Sequence, residues 1–128
     1  MLIKKHLFLL YLFSFIHICI ADDNIPSFFE VSYKLYSNDT KIGQMERKFY
    51  KKGPNNYIFS SESKTTGLIS LFRKDRIIET SNWNYLGSSI LPLHYSYKHT
   101  GSKKNRDVEI NFNWNDQKII NRVNDSIW

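Results

Sequence analysis

His94 and His99 are five positions apart in a segment that alternates apolar and polar residues, so as strand residues they point to opposite faces and cannot share a metal ion. His94 is expected to lie outward beside Ser96 and Lys98. Glu62 and Glu79 are the carboxylates placed to face one another across adjacent strands, and such a pair does acid–base work only inside a cleft that shifts its pKa values. Lys98 opposite Glu109 reads more simply as a cross-strand ion pair worth roughly a few tenths of a kcal/mol. Asn38-Asp39-Thr40 and Asn124-Asp125-Ser126 match the glycosylation triplet, which has meaning only in a pathway that glycosylates; otherwise they are turn residues. There is no glycine-rich phosphate loop, no serine in a nucleophile elbow and no zinc-ligand spacing. The expectation is a protein that is not an enzyme, with no catalytic residue, no metal ligand and no cofactor.

The single cysteine, Cys19, falls in a leader. Lys4 and Lys5 supply a positive start, Leu7 to Ile20 run almost unbroken apolar, and Cys19-Ile20-Ala21 ends in a small residue ahead of Asp22-Asp23, the three-part pattern of a secretory signal peptide. The apolar run, interrupted by Ser14 and His17, is shorter than the roughly 20 residues of a membrane-spanning helix, so cleavage is expected ahead of retention as an anchor. Ile18 stands where a lipidated cysteine would need a small residue before it. Residues 22–128 are thus expected to work outside the cytoplasm without a disulfide, a thiolate nucleophile or a cysteine metal site.

Setting Lys4 and Lys5 aside, the 18 basic residues against 12 acidic ones leave a mild positive charge of about +4. An exported protein rarely meets nucleic acid, so no nucleic-acid partner is expected. The clusters Lys51-Lys52, Arg73-Lys74, and Lys103-Lys104 with Arg106 suit anionic lipid headgroups or envelope polyanions, or simply solvated turns.

A chain of this size holds one domain, and its aromatic residues alternate instead of recurring at helical spacing. Phe29, Val31, Tyr33 and Leu35 fall on one face of a first strand, with Glu30, Ser32 and Lys34 on the other. Asn38-Asp39 marks a turn. Ile42–Lys51 reads as a second strand, closed by Lys52-Gly53-Pro54-Asn55-Asn56, and Tyr57–Thr66 as a third. Asp75–Tyr85 is a fourth, with Ile77, Glu79, Ser81, Trp83 and Tyr85 aligned. Leu86-Gly87-Ser88-Ser89 turns the chain into Leu91–His99, with Leu91, Leu93, Tyr95 and Tyr97 aligned and Pro92 confined to a strand start or an edge. After Thr100–Arg106 a sixth strand alternates Val108, Ile110, Phe112 and Trp114 against Asp107, Glu109, Asn111 and Asn113, and Asn115-Asp116-Gln117 leads into a seventh, Lys118–Asn124. The fold class is all-β: a curved antiparallel meander, closed only as far as a half-barrel or open barrel.

Such a sheet has one wet and one apolar face, and the apolar face needs a cover. Nothing within residues 22–128 supplies one, so the sheet is expected to curl, to dock a partner or to continue into further sequence. Asn124-Asp125-Ser126-Ile127-Trp128 follows a strand without a terminator, and the domain is expected to be the N-terminal part of a longer one.

Glu30-Val31-Ser32-Tyr33, Lys41-Ile42-Gly43, Ser61-Glu62-Ser63-Lys64-Thr65-Thr66-Gly67-Leu68, Leu71-Phe72-Arg73-Lys74-Asp75-Arg76, Leu91-Pro92-Leu93-His94-Tyr95-Ser96-Tyr97 and Asp107-Val108-Glu109-Ile110-Asn111-Phe112-Asn113-Trp114 follow one another in an order that resembles the N-terminal half of the bacterial exported proteins of domain of unknown function family 3108. The resemblance implies a periplasmic envelope protein with a long curved antiparallel sheet, similar in outline to periplasmic carriers that hold a lipoprotein acyl chain in an apolar groove. It implies no catalytic residue.

The third strand opens with Tyr57 and Phe59 but continues on the same face with Ser61, Ser63 and Thr65, small residues where its neighbours carry aromatics. In a curved sheet that gap is a candidate site for a lipid tail or another elongated apolar ligand, lined by Tyr33, Phe59, Ser61, Ser63, Trp83, Tyr95 and Phe112; the simpler alternative is that this end of the strand is solvated or covered. Gly67, Leu68, Leu71 and Phe72, with Ile69, are a candidate lid or plug: either a cap on the open end of the sheet, the simpler expectation, or a loop that touches a membrane peripherally, with Arg73, Lys74 and Arg76 against anionic headgroups. The partners expected are a lipid or another envelope protein, the latter docked by strand addition at a sheet edge.

Overall fold

Period-two alternation broken by turn-forming residues produces, in the computed structural model, a sheet without a crossover. The structure describes residues 25–101 and 105–127; the leader with Cys19, the Lys103-Lys104 pair and Trp128 lie outside the described residues. Strands β1 (Phe28–Ser37), β2 (Thr40–Lys51), β3 (Asn56–Thr65), β4 (Arg76–Tyr85), β5 (Ile90–Thr100), β6 (Arg106–Asn113), β7 (Lys118–Val123) and β8 (Ser126–Ile127) pair antiparallel in chain order. The meander is open, with β1 and β8 as its two edges. A short 3-10 turn, Gly67–Leu71, sits between β3 and β4.

Each hairpin closes on residues suited to it. Asn38 and Asp39 both take positive φ, 45° and 60°, the two-residue turn whose twist matches the flanking strands. Between β6 and β7, the Asn113 carboxamide accepts a hydrogen bond from the Asp116 amide at 3.1 Å and donates to its carboxylate at 2.8 Å. Asn124, at φ 50°, opens a second two-residue turn. Its Oδ1 accepts from the Asp107 amide at 2.9 Å while its own amide donates to the Asp107 carbonyl at 2.7 Å. The expected seventh strand therefore stops at Val123, and Ser126–Ile127 folds back as an eighth.

Two register shifts change which side chains share a face. Between β1 and β2, Leu35 opposes Gly43 but Tyr36 opposes Lys41, leaving Ile42 as the extra residue. Gly43 is buried there, and a Cβ on it would lie 2.9 Å from the Lys64 carbonyl oxygen. Between β4 and β5, Asn82 opposes His94 but Trp83 opposes Pro92. Such bulges bend a strand and strengthen its twist. The second one moves Leu91 out of line with Tyr95 and Tyr97: it opposes Asn84 on the other face. Pro92 causes no loss of pairing, because the β5–β6 ladder begins only at His94.

The polar face is held by charge. Lys48 Nζ lies 2.8 Å from Glu30, and Arg76 grips Glu62 through Nε at 2.9 Å and Nη2 at 3.0 Å. Ser96, not Lys98, opposes Glu109, and Lys98 opposes Asp107; the turn between β5 and β6 closes after His99↔Arg106, which sets the register two residues away from the expected ion pair. Glu109 instead accepts from Arg122 at 2.7 and 3.2 Å and lies 3.2 Å from His94 Nε2. The Arg122 guanidinium, and then His94, hold the Glu109 carboxyl below its ordinary range. Arg76 does the same for Glu62.

The opposite face carries most of the aromatic residues, whereas Phe28 and Tyr50 oppose one another on the charged face. Phe29 stacks on Phe49 at 5.3 Å between ring centroids, Phe49 on Tyr57 at 5.6 Å, and Tyr57 on Trp83 at 4.9 Å. Phe49 and Tyr57, 5% and 6% exposed, are the buried large apolar residues among those described, and no side chain is fully buried. Stacked pairs of this kind add about 0.5–1.5 kcal/mol each beyond the area they bury.

Phe49→Ala is expected to destabilise the fold by about 3–5 kcal/mol, read from urea denaturation, whereas Tyr36→Ala, at an exposed position, should stay within about 0.5 kcal/mol of wild type. Because the folded pKa values of Glu62 and Glu109 lie below their unfolded ones, their contribution to stability is present above the unfolded carboxylate pKa, about 4.3, and is lost as pH falls through the folded values. In acid titrations followed by circular dichroism, Glu109→Gln should flatten that acid limb; a limb as steep as wild type would remove Glu109 from the account.

Candidate binding face

Strand alternation combined with the register builds one continuous face from every strand. Following opposed pairs across the sheet gives three rows on it. The first runs Phe29, Phe49, Phe59, Ser81, Tyr95, Ile110, Asn121; the second Val31, Arg47, Ser61, Glu79, Tyr97, Val108, Val123; the third Tyr33, Met45, Ser63, Ile77, His99, Arg106. Trp83, opposite Tyr57, and Phe112, opposite Ile119, lie on this same face. All seven candidate ligand residues, Tyr33, Phe59, Ser61, Ser63, Trp83, Tyr95 and Phe112, therefore share one face.

They do not meet in one cavity. Tyr33 on β1 and Phe112 on β6 are five strands apart, about 24 Å along a sheet with 4.8 Å spacing. Open recesses among the described residues line different parts of the face, and three of them involve candidate residues. Ser63 lines one of about 160 Å³ with Leu35, Ile42, Gly43, Thr65 and Ile77 among its walls. Tyr95 lines a second of about 330 Å³ with Glu79, Tyr97, Arg106 and Val108. Phe112 lines a third of about 310 Å³ with Trp114 and Ile119. Tyr33, Phe59, Ser61 and Trp83 line none of these three.

Ser61 explains part of this division. It is only 6% exposed, lying in register between Arg47 and Glu79. Arg47 extends over the Tyr33 ring at 5.6 Å. Glu79 accepts a hydrogen bond from the Tyr95 hydroxyl at 3.0 Å, and burial followed by that carboxylate pushes the Tyr95 phenol up, keeping it a donor. A polar seam thus crosses the aromatic face where small residues alone suggest a continuous trough. Arg47, Tyr97, Val108 and Ile119 belong to this surface as well and are not among the candidate ligand residues, although alternation alone puts Tyr97 and Val108 on the apolar face. Counting outward from the two-residue Asn38-Asp39 turn does not place Arg47, because the extra residue at Ile42 shifts the register by one and brings Arg47 opposite Val31.

The carboxylate pair does not form. Glu62 opposes Ile78 while Glu79 opposes Ser61, so consecutive pairing positions send them to opposite faces. His94 and His99 also separate, the first to Glu109 and the second to Asp75, 3.3 Å from its Nε2. Among the described residues no group of three or more His, Cys, Asp or Glu side chains is placed to hold a metal ion.

The 3-10 turn is well anchored yet faces outward. Gly67 takes φ +71° with the Lys41 carbonyl 3.0 Å from where a Cβ would sit, the Ser70 hydroxyl donates to the Gly67 carbonyl at 2.6 Å, and the Thr65 hydroxyl donates to the Arg73 carbonyl at 2.6 Å. The Thr66 amide reaches the carbonyl of the bulged Ile42 at 3.1 Å. None of the turn's residues is buried. Of the three candidate cations, Arg73 pairs with Asp75 and Arg76 with Glu62, while Lys74 is exposed.

No curated protein and no solved structure matches the chain. The sequence model described as "Protein of unknown function (DUF3108)" matches residues 29–127, spanning β2 to β8 and nearly all of β1, which carry both the aromatic and the charged face. The chain belongs to the DUF3108 family.

Proposed function

We propose that this DUF3108 member is a non-enzymatic, exported protein of the periplasm that binds an elongated apolar molecule, lipid-like in chemistry, across its aromatic face. The observation that carries the reading is that an open eight-stranded sheet gathers most of its aromatic side chains on one face and leaves many of them in contact with water. Val31, Tyr33 and Ile119 on that face are exposed, as is Trp114 beside the Phe112 recess. Exposed apolar surface of this extent marks an interaction site, and recesses strung across several strands suit a long ligand better than a compact one. The leader at residues 1–21 supports export, and the likeness to lipoprotein carriers inferred from sequence fits the same chemistry. The polar seam of Arg47, Ser61 and Glu79 would meet a headgroup or an ester, with the recesses on either side taking hydrocarbon.

A second reading is an adaptor that docks another envelope component by strand addition. It is favoured by β1, a ten-residue edge strand whose outer backbone groups have no neighbouring strand among the described residues.

The ligand reading is tested with N-phenyl-1-naphthylamine as the apolar probe. Wild-type protein should raise its fluorescence, and Ser63→Phe, which fills the recess beneath Gly43, together with Ile119→Lys at the far end, should weaken binding by about tenfold, the effect of roughly 1.4 kcal/mol. Ser61→Trp is unsuitable, since a buried serine replaced by tryptophan tests folding instead. Unchanged probe binding in the folded double variant would sink the ligand reading. Crosslinking of a single protein to Ser32 or Lys34 of β1, with no co-purifying lipid, would replace it with the adaptor.

A further inference from the structure

We propose that the tip formed by Leu68, Leu71 and Phe72 is a docking element for an anionic bilayer surface, inserting its apolar side chains between headgroups while the cations behind it hold lipid phosphates. Three large apolar residues within five positions are 77%, 72% and 90% exposed. Side chains of this kind scattered singly over a surface need no explanation, but here three fall on one short turn that joins β3 to β4 at the end of the sheet.

Their exposure is built in. The Phe72 and Arg73 amides both donate to the Ile69 carbonyl, at 3.1 and 2.9 Å, and the Thr65 amide donates to the Asp75 carbonyl at 3.0 Å. Together with the Thr65, Thr66 and Ser70 bonds, these fix the turn at both ends. Asp75 is itself held between Arg73 and His99. A segment ordered in advance loses little conformational freedom on binding.

Charge selects the occupant. At this end of the sheet Arg73, Lys74, Arg76 and Lys64, which opposes Arg76 on the neighbouring strand, outnumber the two carboxylates that pair with them, Asp75 with Arg73 and Glu62 with Arg76. Lys74 makes no ion pair among the described residues. Apolar residues at the extremity with cations set back from it match the layering of a membrane interface, where hydrocarbon lies about 5–10 Å beneath the phosphates. A protein groove would reward the apolar residues but not this order of charge.

The test uses the full chain with Cys19→Ser and a single environment-sensitive NBD label at Phe72→Cys or, as a control at the opposite end of the sheet, Ser88→Cys. With vesicles of phosphatidylglycerol and phosphatidylcholine, the label at 72 should brighten and shift to the blue while the label at 88 does not. This local readout separates the tip from any insertion of the apolar leader. In the unlabelled chain, Leu68→Ser/Leu71→Ser/Phe72→Ser should lower vesicle partitioning at least about tenfold, and Lys74→Glu should lower it about fivefold at low salt, with circular dichroism unchanged because all four positions are exposed. Equal responses at 72 and 88, or the same response on pure phosphatidylcholine, would overturn the proposal. So would a sedimenting dimer that the triple substitution converts to monomer, which would assign the tip to a second copy of the chain.

Discussion

The Phe29–Phe49–Tyr57–Trp83 stack is the interaction on which the rest of the sheet depends. A single open sheet has no second layer to pack against, so most of its apolar side chains gain only partial burial. The stack is where that limitation is overcome: rings from four consecutive strands cover one another at centroid separations of 4.9–5.6 Å, and the two inner ones, Phe49 and Tyr57, are the ones removed from water. From this column outward the backbone ladders and the charged pairs of the other face carry the structure with progressively less apolar support, ending in the two-residue β8.

The same shortage of cover makes the aromatic face available. If the sheet closed or carried a packed helix, the recesses beside Ser63, Tyr95 and Phe112 would be interior. As an open meander, it presents them on one side with Arg47 and Glu79 between, a surface that alternates greasy and polar patches along a path longer than any one pocket. The other side carries the ion pairs Glu30–Lys48, Glu62–Arg76 and Glu109–Arg122, set among the apolar residues Phe28, Tyr50, Ile58, Ile78 and Ile120.

Much of this was legible in the residues. Period-two alternation located the first seven strands to within a residue or two, and it assigned Tyr33, Phe59, Ser61, Ser63, Trp83, Tyr95 and Phe112 to one face. Register is where local reasoning failed. Bulges at Ile42 and beside Pro92 are set by backbone pairing between strands, so Leu91 kept its apolar character but lost its expected face. The β5–β6 turn placed Asp107 opposite Lys98 because the closing pair depends on loop geometry that composition does not encode. The burial of Ser61 escaped for a related reason: its environment is made by Arg47 and Glu79, which are distant in sequence. β8 was missed because two residues are too short for any periodicity, although Asn124 with its positive φ is the kind of residue that reverses a chain.

Pairing in strict chain order has a kinetic consequence. Every ladder of backbone hydrogen bonds joins consecutive strands, so no pairing waits for a distant partner and each hairpin adds to an existing edge. Such a topology has low contact order for a β protein, and the entropy of loop closure is met in small steps instead of one large one. A chain delivered progressively from one end would be able to zip from β1 onward as it arrives, with the Phe29, Phe49, Tyr57 and Trp83 rings assembling first and acting as the seed for everything that follows.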